Sequence, residues 1–133
     1  MSLHSFNLNL ERLWLASARW LFAAAILVVT YLSLAPIAQP AGSNDKINHL
    51  IAYFGLALLI DAAFPKRSFW GTKVLSLAVF GIFIEAAQSF FPYRTFSLAD
   101  WGADLIGLLL YYGCTPLLKK TFVLKARWTL TNN

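Results

Sequence analysis

Four apolar stretches, at roughly 19–38, 46–64, 73–91 and 98–118, follow one another along this chain with only short connections between them. Each is close to the ~20 residues an α-helix needs to cross the hydrocarbon core of a bilayer. Lipid offers no hydrogen-bond partner to a bare backbone, so segments of this kind are satisfied as helices. The connections at 39–45, 65–72 and 92–97 are short enough to force neighbouring helices to run antiparallel. The expected fold is therefore all-α: a polytopic membrane protein whose four transmembrane helices form an antiparallel bundle. The composition agrees, since 13% of the residues are charged and 59% hydrophobic, against about 25% charged in a soluble domain.

The basic residues set an expected orientation. Arg12, Arg19, Lys66, Arg67, Lys73, Lys119, Lys120, Lys125 and Arg127 flank one side of the predicted spans, and only Lys46 and Arg94 flank the other. Positive residues collect on the cytoplasmic side, which predicts both termini inside. Because these residues cap apolar segments and form no stripe with interleaved aromatics, the net charge of +5 does not point to nucleic acid. The single cysteine, Cys114, excludes an intrachain disulfide and a cysteine-based metal cluster. Residues 1–18 are expected to be a cytoplasmic or interfacial segment, either an amphipathic helix with Phe6, Leu10, Leu13 and Trp14 at helical spacing or a disordered lead-in. The span after Arg19 resembles a signal peptide in part, but Pro36 directly follows the small-residue triplet Ser33-Leu34-Ala35, so an uncleaved helix is expected. Residues 119–133 read as a basic cytoplasmic tail.

Ionisable groups within lipid are unfavourable and mark functional interiors. Here most of them are expected in one layer near the non-cytoplasmic surface. Asp45, His49 and Tyr53 share a face of the second helix, Glu85 and Gln88 a face of the third, and Asp100, Asp104 and Gly107 a face of the fourth. At ~1.5 Å rise per residue, His49, Glu85 and Asp104 should lie at similar depth, with Arg94 above them. Each has a plainer role to set beside this. Ser97-Leu98-Ala99-Asp100 matches a capping box, Asp45 suits a first helical turn, Tyr53 and Trp101 suit an interface, and Gly107 suits close helix packing. Asp61 lies off the stripe and near Lys66 and Arg67, so it is expected to be an ordinary charge on the cytoplasmic side.

Two chemistries fit this layer. In the first, a lipid-linked or lipophilic anionic ligand binds there, its phosphate or carboxylate held by Arg94 and its polar groups by Asp45, Lys46, Tyr53, Gln88 and Asp100. In the second, the chain is an intramembrane enzyme acting on a lipid head group or cell-wall precursor. His49 would be its general acid or base, with Glu85 and Asp104 orienting it or titrating themselves. A variant of this places a divalent ion on His49, Glu85, Asp100 and Asp104. The expectation is nonetheless a site without metal or cofactor, because Arg94, His49 and protonation of one acid can balance the charge. A proton or ion pathway is disfavoured because no comparable layer is expected in the cytoplasmic half.

The run Asp45-Lys46-x-x-His49-x-x-x-Tyr53, followed by Glu85-x-x-Gln88, Pro92, Arg94, Ser97, Asp100 and Gly107, closely resembles the VanZ-like family of bacterial membrane proteins. The resemblance covers residues 45–107 at motif level, with Asp104 standing where the family often has Asn. It implies a multi-pass protein of the bacterial plasma membrane with a role in the cell envelope. The family's namesake is associated with resistance to teicoplanin, so the implied partners are membrane lipids and a lipid-linked cell-wall precursor or lipoglycopeptide.

Overall fold

The computed structural model describes residues 2–38 and 41–131. Gln39 and Pro40 of the first expected connection, Met1, and Asn132 and Asn133 of the expected tail lie outside the described residues. The described residues form helices and contain no strand: α1 (Leu3–Leu34), α2 (Asp45–Ala63), a π-helical turn (Phe69–Val74) running into α3 (Leu75–Gln88), α4 (Leu98–Leu118) and a short α5 (Ala126–Thr129). Among them, three helices are long and apolar enough to cross a membrane: α1, α2 and the continuous Phe69–Gln88 segment.

Local chemistry sets the helix ends. α1 starts on Ser2, whose hydroxyl accepts from the Ser5 amide at 3.2 Å, and runs unbroken through residue 18. It stops at Leu34, four residues before the expected end, because Pro36 forces Ala35 into extended backbone (φ −70°, ψ 147°). α2 starts on Asn44, whose side chain accepts from the amides of Lys46 at 3.0 Å and Ile47 at 3.3 Å. α4 carries Pro116 in its last turn. That proline cannot donate to the Tyr112 carbonyl, and the Thr115 hydroxyl does so instead at 2.7 Å.

The helices pack chiefly through α2, against α4 on one side and α1 on the other. Ala18 of α1 is buried against Ala62 and Ala63 of α2, a small-residue crossing that lets the two backbones approach. Beside it, Arg19 donates through Nε to the Ala63 carbonyl at 3.1 Å and lies over the Phe64 ring, so a cation sits on the C-terminal carbonyls of α2. Between the two ends of the bundle lies an apolar layer that includes Leu56, Ala57, Leu77 and Leu108. The residues after α4 fold back onto the helices, where Ala126 is fully buried and Lys125 pairs with Glu11 at 3.3 Å.

Candidate functional site

The starts of α2 and α4 and the ends of α1 and α3 meet at one end of the bundle, and Gly107 lets α2 and α4 come together there. A Cβ on Gly107 would stand 2.5 Å from the Leu50 carbonyl oxygen and 3.1 Å from the Phe54 amide nitrogen, so no larger residue fits without moving a helix. The close approach brings His49 Nδ1 within 2.8 Å of Asp104 Oδ1. With Asp104 ionised, Nδ1–H donates and Nε2 is left to a ligand. Asp100 Oδ1 takes Lys46 Nζ at 2.5 Å, and Asp100 Oδ2 lies 4.0 Å from His49 Nε2.

The capping box expected at Ser97 forms by half. The Ser97 hydroxyl accepts from the Asp100 amide at 3.2 Å. The reciprocal arm comes from a different helix: Glu85 Oε2 of α3 accepts from the Ser97 amide at 2.8 Å. Glu85 is fully buried, and its Oε1 has no hydrogen-bond partner among the described residues. Of the three residues proposed for catalysis, the fold therefore joins His49 to Asp104 and sets Glu85 on the first turn of α4.

A second set of side chains closes the end of α1. The last carbonyls of a helix have no partner within it. Gln88 donates to the Ser33 carbonyl at 2.9 Å, Tyr93 to Leu34 at 2.9 Å, and Arg94 Nη2 to Leu32 and Ala35 at 3.2 and 3.3 Å. Arg94 thus stands where a cation favours the helix dipole, and its guanidinium is held in place. Trp101, read from the sequence as an interfacial ring, donates to the Ala78 carbonyl at 2.9 Å.

Between α1, α2 and the end of α3 lies a cavity of about 490 Å³. One wall is apolar, with Val29, Leu32, Ile37, Ile51 and Ile84; the other carries Asp45, His49, Tyr53, Gln88, Arg94 and Asp104. Six of the nine residues singled out in the sequence line it, while Lys46, Glu85 and Asp100 stand behind as partners and caps. Tyr53 lines the cavity and is 2% exposed, and its buried hydroxyl has no hydrogen-bond partner among the described residues. Asp45, His49 and Asp100 each bring one possible ligand atom within 4.8 Å of the others. This trio omits Glu85 and Asp104 from the metal set considered above, and the Lys46 ammonium already sits on Asp100.

Two features escaped the sequence reading. Gly81 of α3 leaves the space into which Tyr53 and Asp104 reach, since a Cβ there would stand 3.0 Å from the Tyr53 hydroxyl and 2.9 Å from Asp104 Oδ2. Its position one turn before Glu85 was the available signal. The other is Asp61, and here the expectation of an ordinary charge is overturned. Asp61 is 4% exposed. It takes Lys73 Nζ at 2.5 Å, Arg127 Nη2 at 3.1 Å and the Tyr111 hydroxyl at 2.8 Å. It lies on the buried face of α2, which runs through Tyr53, Leu56, Ala57, Ile60 and Asp61, and the steps of four from 45, 49 and 53 arrive at 57 and 61, so Asp61 continues the stripe it was expected to lie off. A second buried polar layer therefore exists at the other end of the bundle.

The VanZ/LLP1 family model matches residues 11–119. The uncharacterized protein C11E3.10 of Schizosaccharomyces pombe is 36% identical over 91 residues, which cover 65% of this chain. The matched part is 55% of that protein's length, so the chain corresponds to about half of this relative. No solved structure matches. With the motif residues gathered at one end of the helices and the family match running from the first helix through the fourth, the chain belongs to the VanZ/LLP1 family.

Proposed function

We propose that this is a multi-pass protein of the bacterial plasma membrane that binds a lipid-linked or lipophilic anionic ligand in the cavity beside His49, Tyr53 and Arg94. The observation that carries the reading is the two-sided wall. An aliphatic face of Val29, Leu32 and Ile51 stands across about 490 Å³ from a face with Arg94, Gln88, His49 and Tyr53. Sites for small ligands have this size and this division between apolar area and a few placed polar groups. Because a similar chain exists in a yeast, a membrane lipid fits the family better than a bacterial wall precursor or teicoplanin, which one of the two organisms would lack.

In this reading α4 is a fourth span. Its 21 residues reach ~32 Å at the usual helical rise, and the acids that lower its hydropathy, Asp100 and Asp104, are buried against α2 and α3. The basic asymmetry then puts the cavity near the outer surface. Single cysteines at Thr95 and Lys66 in a Cys114→Ser background are expected to react with an impermeant reagent from outside and inside, respectively. The reverse pattern would place the cavity on the cytoplasmic side.

Mass-spectrometric inventory of lipids retained by the purified protein tests the binding reading. One lipid class should be enriched over its share in the membrane, and the enrichment should fall in Tyr53→Phe and His49→Ala. A retained profile identical to the bulk membrane in all three proteins would overturn it. The 2.8 Å His49–Asp104 pair favours one second reading, an intramembrane enzyme in which Asp104 orients His49 for acid–base work on a lipid head group. Turnover of the retained lipid, lost in His49→Ala with retention intact, would select the enzyme.

A further inference from the structure

The proposed ligand is defined so far by its lipid character and its anionic group, and the charges of the cavity wall restrict it further. Two carboxylates, Asp45 and Asp104, border the cavity with one guanidinium, Arg94, and one imidazole, His49. The nearest other cation, Lys46, is matched to Asp100 at 2.5 Å and leaves no surplus positive charge behind the wall. Glu85 adds a further carboxyl group behind it. A purely anionic head group would bring more negative charge to a wall whose carboxylates already outnumber its fixed cation, in surroundings where water screens poorly. A head group that carries its own cation meets both signs.

The geometry points to a lipid with an aminoalkyl phosphate head group, its phosphate toward Arg94 and its primary ammonium toward the carboxylates of Asp45 and Asp104. This inference rests on the binding role proposed above and names the chemistry of its ligand. Arg94 is held by the Leu32 and Ala35 carbonyls, so its charge is positioned before any ligand arrives. A primary ammonium offers three N–H donors to carboxylates. A quaternary ammonium has no N–H to give and is recognised by cages of aromatic rings. Apart from the His49 imidazole, Tyr53 carries the single aromatic ring among the described residues bordering the cavity, so the wall suits the primary amine. The aliphatic side, Val29, Leu32 and Ile51, then receives the glycerol and the start of the acyl chains.

Calorimetric titration of the detergent-solubilised protein with dihexanoyl lipids tests this directly. The head groups are phosphoethanolamine, phosphoglycerol and phosphocholine, with free phosphoethanolamine as a fourth titrant. The phosphoethanolamine lipid should bind at least about tenfold more tightly than the other two lipids, about 1.4 kcal/mol, and more tightly than the free head group. In Asp45→Asn the phosphoethanolamine and phosphoglycerol lipids should bind alike. Tighter binding of the phosphoglycerol lipid would overturn the zwitterion and leave the proposed anionic-lipid function standing. Equal binding of the phosphocholine lipid would overturn the primary amine. A free head group that binds as tightly as its lipid would overturn the lipid, and no binding by any lipid would overturn the proposed function itself.

Discussion

Asp61→Asn should lower the stability of the detergent-solubilised protein by about 3–5 kcal/mol, the usual consequence of leaving a buried ion without its counter-ion. The neutral amide would face Lys73, which is 1% exposed, and Arg127, whose side chain is 14% exposed. The same substitution disturbs the Tyr111 hydroxyl, which donates to Asp61 Oδ2. Adding Lys73→Met to Asp61→Asn should recover part of the loss, because it removes the more deeply buried of the two orphaned cations and leaves Arg127, whose side chain is 14% exposed. Glu11→Gln is the control. Its partner Lys125 is 41% exposed, and ion pairs in such settings contribute about 1 kcal/mol or less. The chain's five tryptophans provide a fluorescence signal for thermal and denaturant unfolding. An Asp61→Asn shift no larger than that of Glu11→Gln would remove Asp61 as the centre of this layer.

The Asp61 cluster also bears on what the membrane-embedded part can conduct. The polar groups do not all lie at one end, as the sequence suggested, but they do not connect either. Leu56, Ala57, Leu77 and Leu108 fill the layer between Tyr53 and Asp61 on α2 and between Asp104 and Tyr111 on α4. A file of titratable groups is interrupted there, which fits two separate roles. One end borders a cavity, and the other ties α2, the π-helical turn before α3, α4 and the segment after α4 to a single carboxylate.

What could be read from the sequence was whatever depends on one helix at a time. Ser97 and its amide partner Asp100 fix the start of α4 at the expected residue, and Pro36 accounts for the early end of α1. The spacing of 45, 49 and 53 and of 100, 104 and 107 named the two faces that do meet. Which side chains meet across those faces depends on the rotation and approach of the helices, and no single-helix pattern contains that. Hence His49 takes Asp104 while Glu85, of the same expected depth, turns to the Ser97 amide. Arg94 was read as an anion holder, and the contacts its Nη2 makes are to the end of α1, whose carbonyls the sequence could not bring near it. Asp61 was misread because its partners come from three other elements, the farthest 66 positions along the chain. A signal was nonetheless present: continuing the 100, 104, 107 stripe by one more turn arrives at Tyr111, the residue that donates to Asp61.

Gly107→Ala should be the most damaging single-methyl addition in the chain. The new Cβ would stand 2.5 Å from the Leu50 carbonyl oxygen, where an ordinary carbon–oxygen contact needs about 3.3 Å or more. Backbone cannot rotate away as a side-chain tip can, so α2 and α4 must separate by several tenths of an ångström at the least. Overpacking of this kind typically costs about 1–3 kcal/mol, and a clash with backbone belongs at the upper end. The separation acts on the site as well, because His49 and Asp104 lie on the two helices within a turn of the contact and are joined at 2.8 Å. Gly81→Ala provides the contrast. Its Cβ would meet the Tyr53 hydroxyl at 3.0 Å and Asp104 Oδ2 at 2.9 Å, both at the far ends of side chains. Those tips can move with little change in the helix packing, yet they are the groups placed in the site. Gly107→Ala is therefore expected to lower both the unfolding midpoint and lipid retention, and Gly81→Ala to lower lipid retention while its midpoint stays near that of the parent. Equal midpoints for Gly107→Ala and the parent protein would show that α2 and α4 are not in backbone contact at this position, and the His49–Asp104 pair would lose its structural basis.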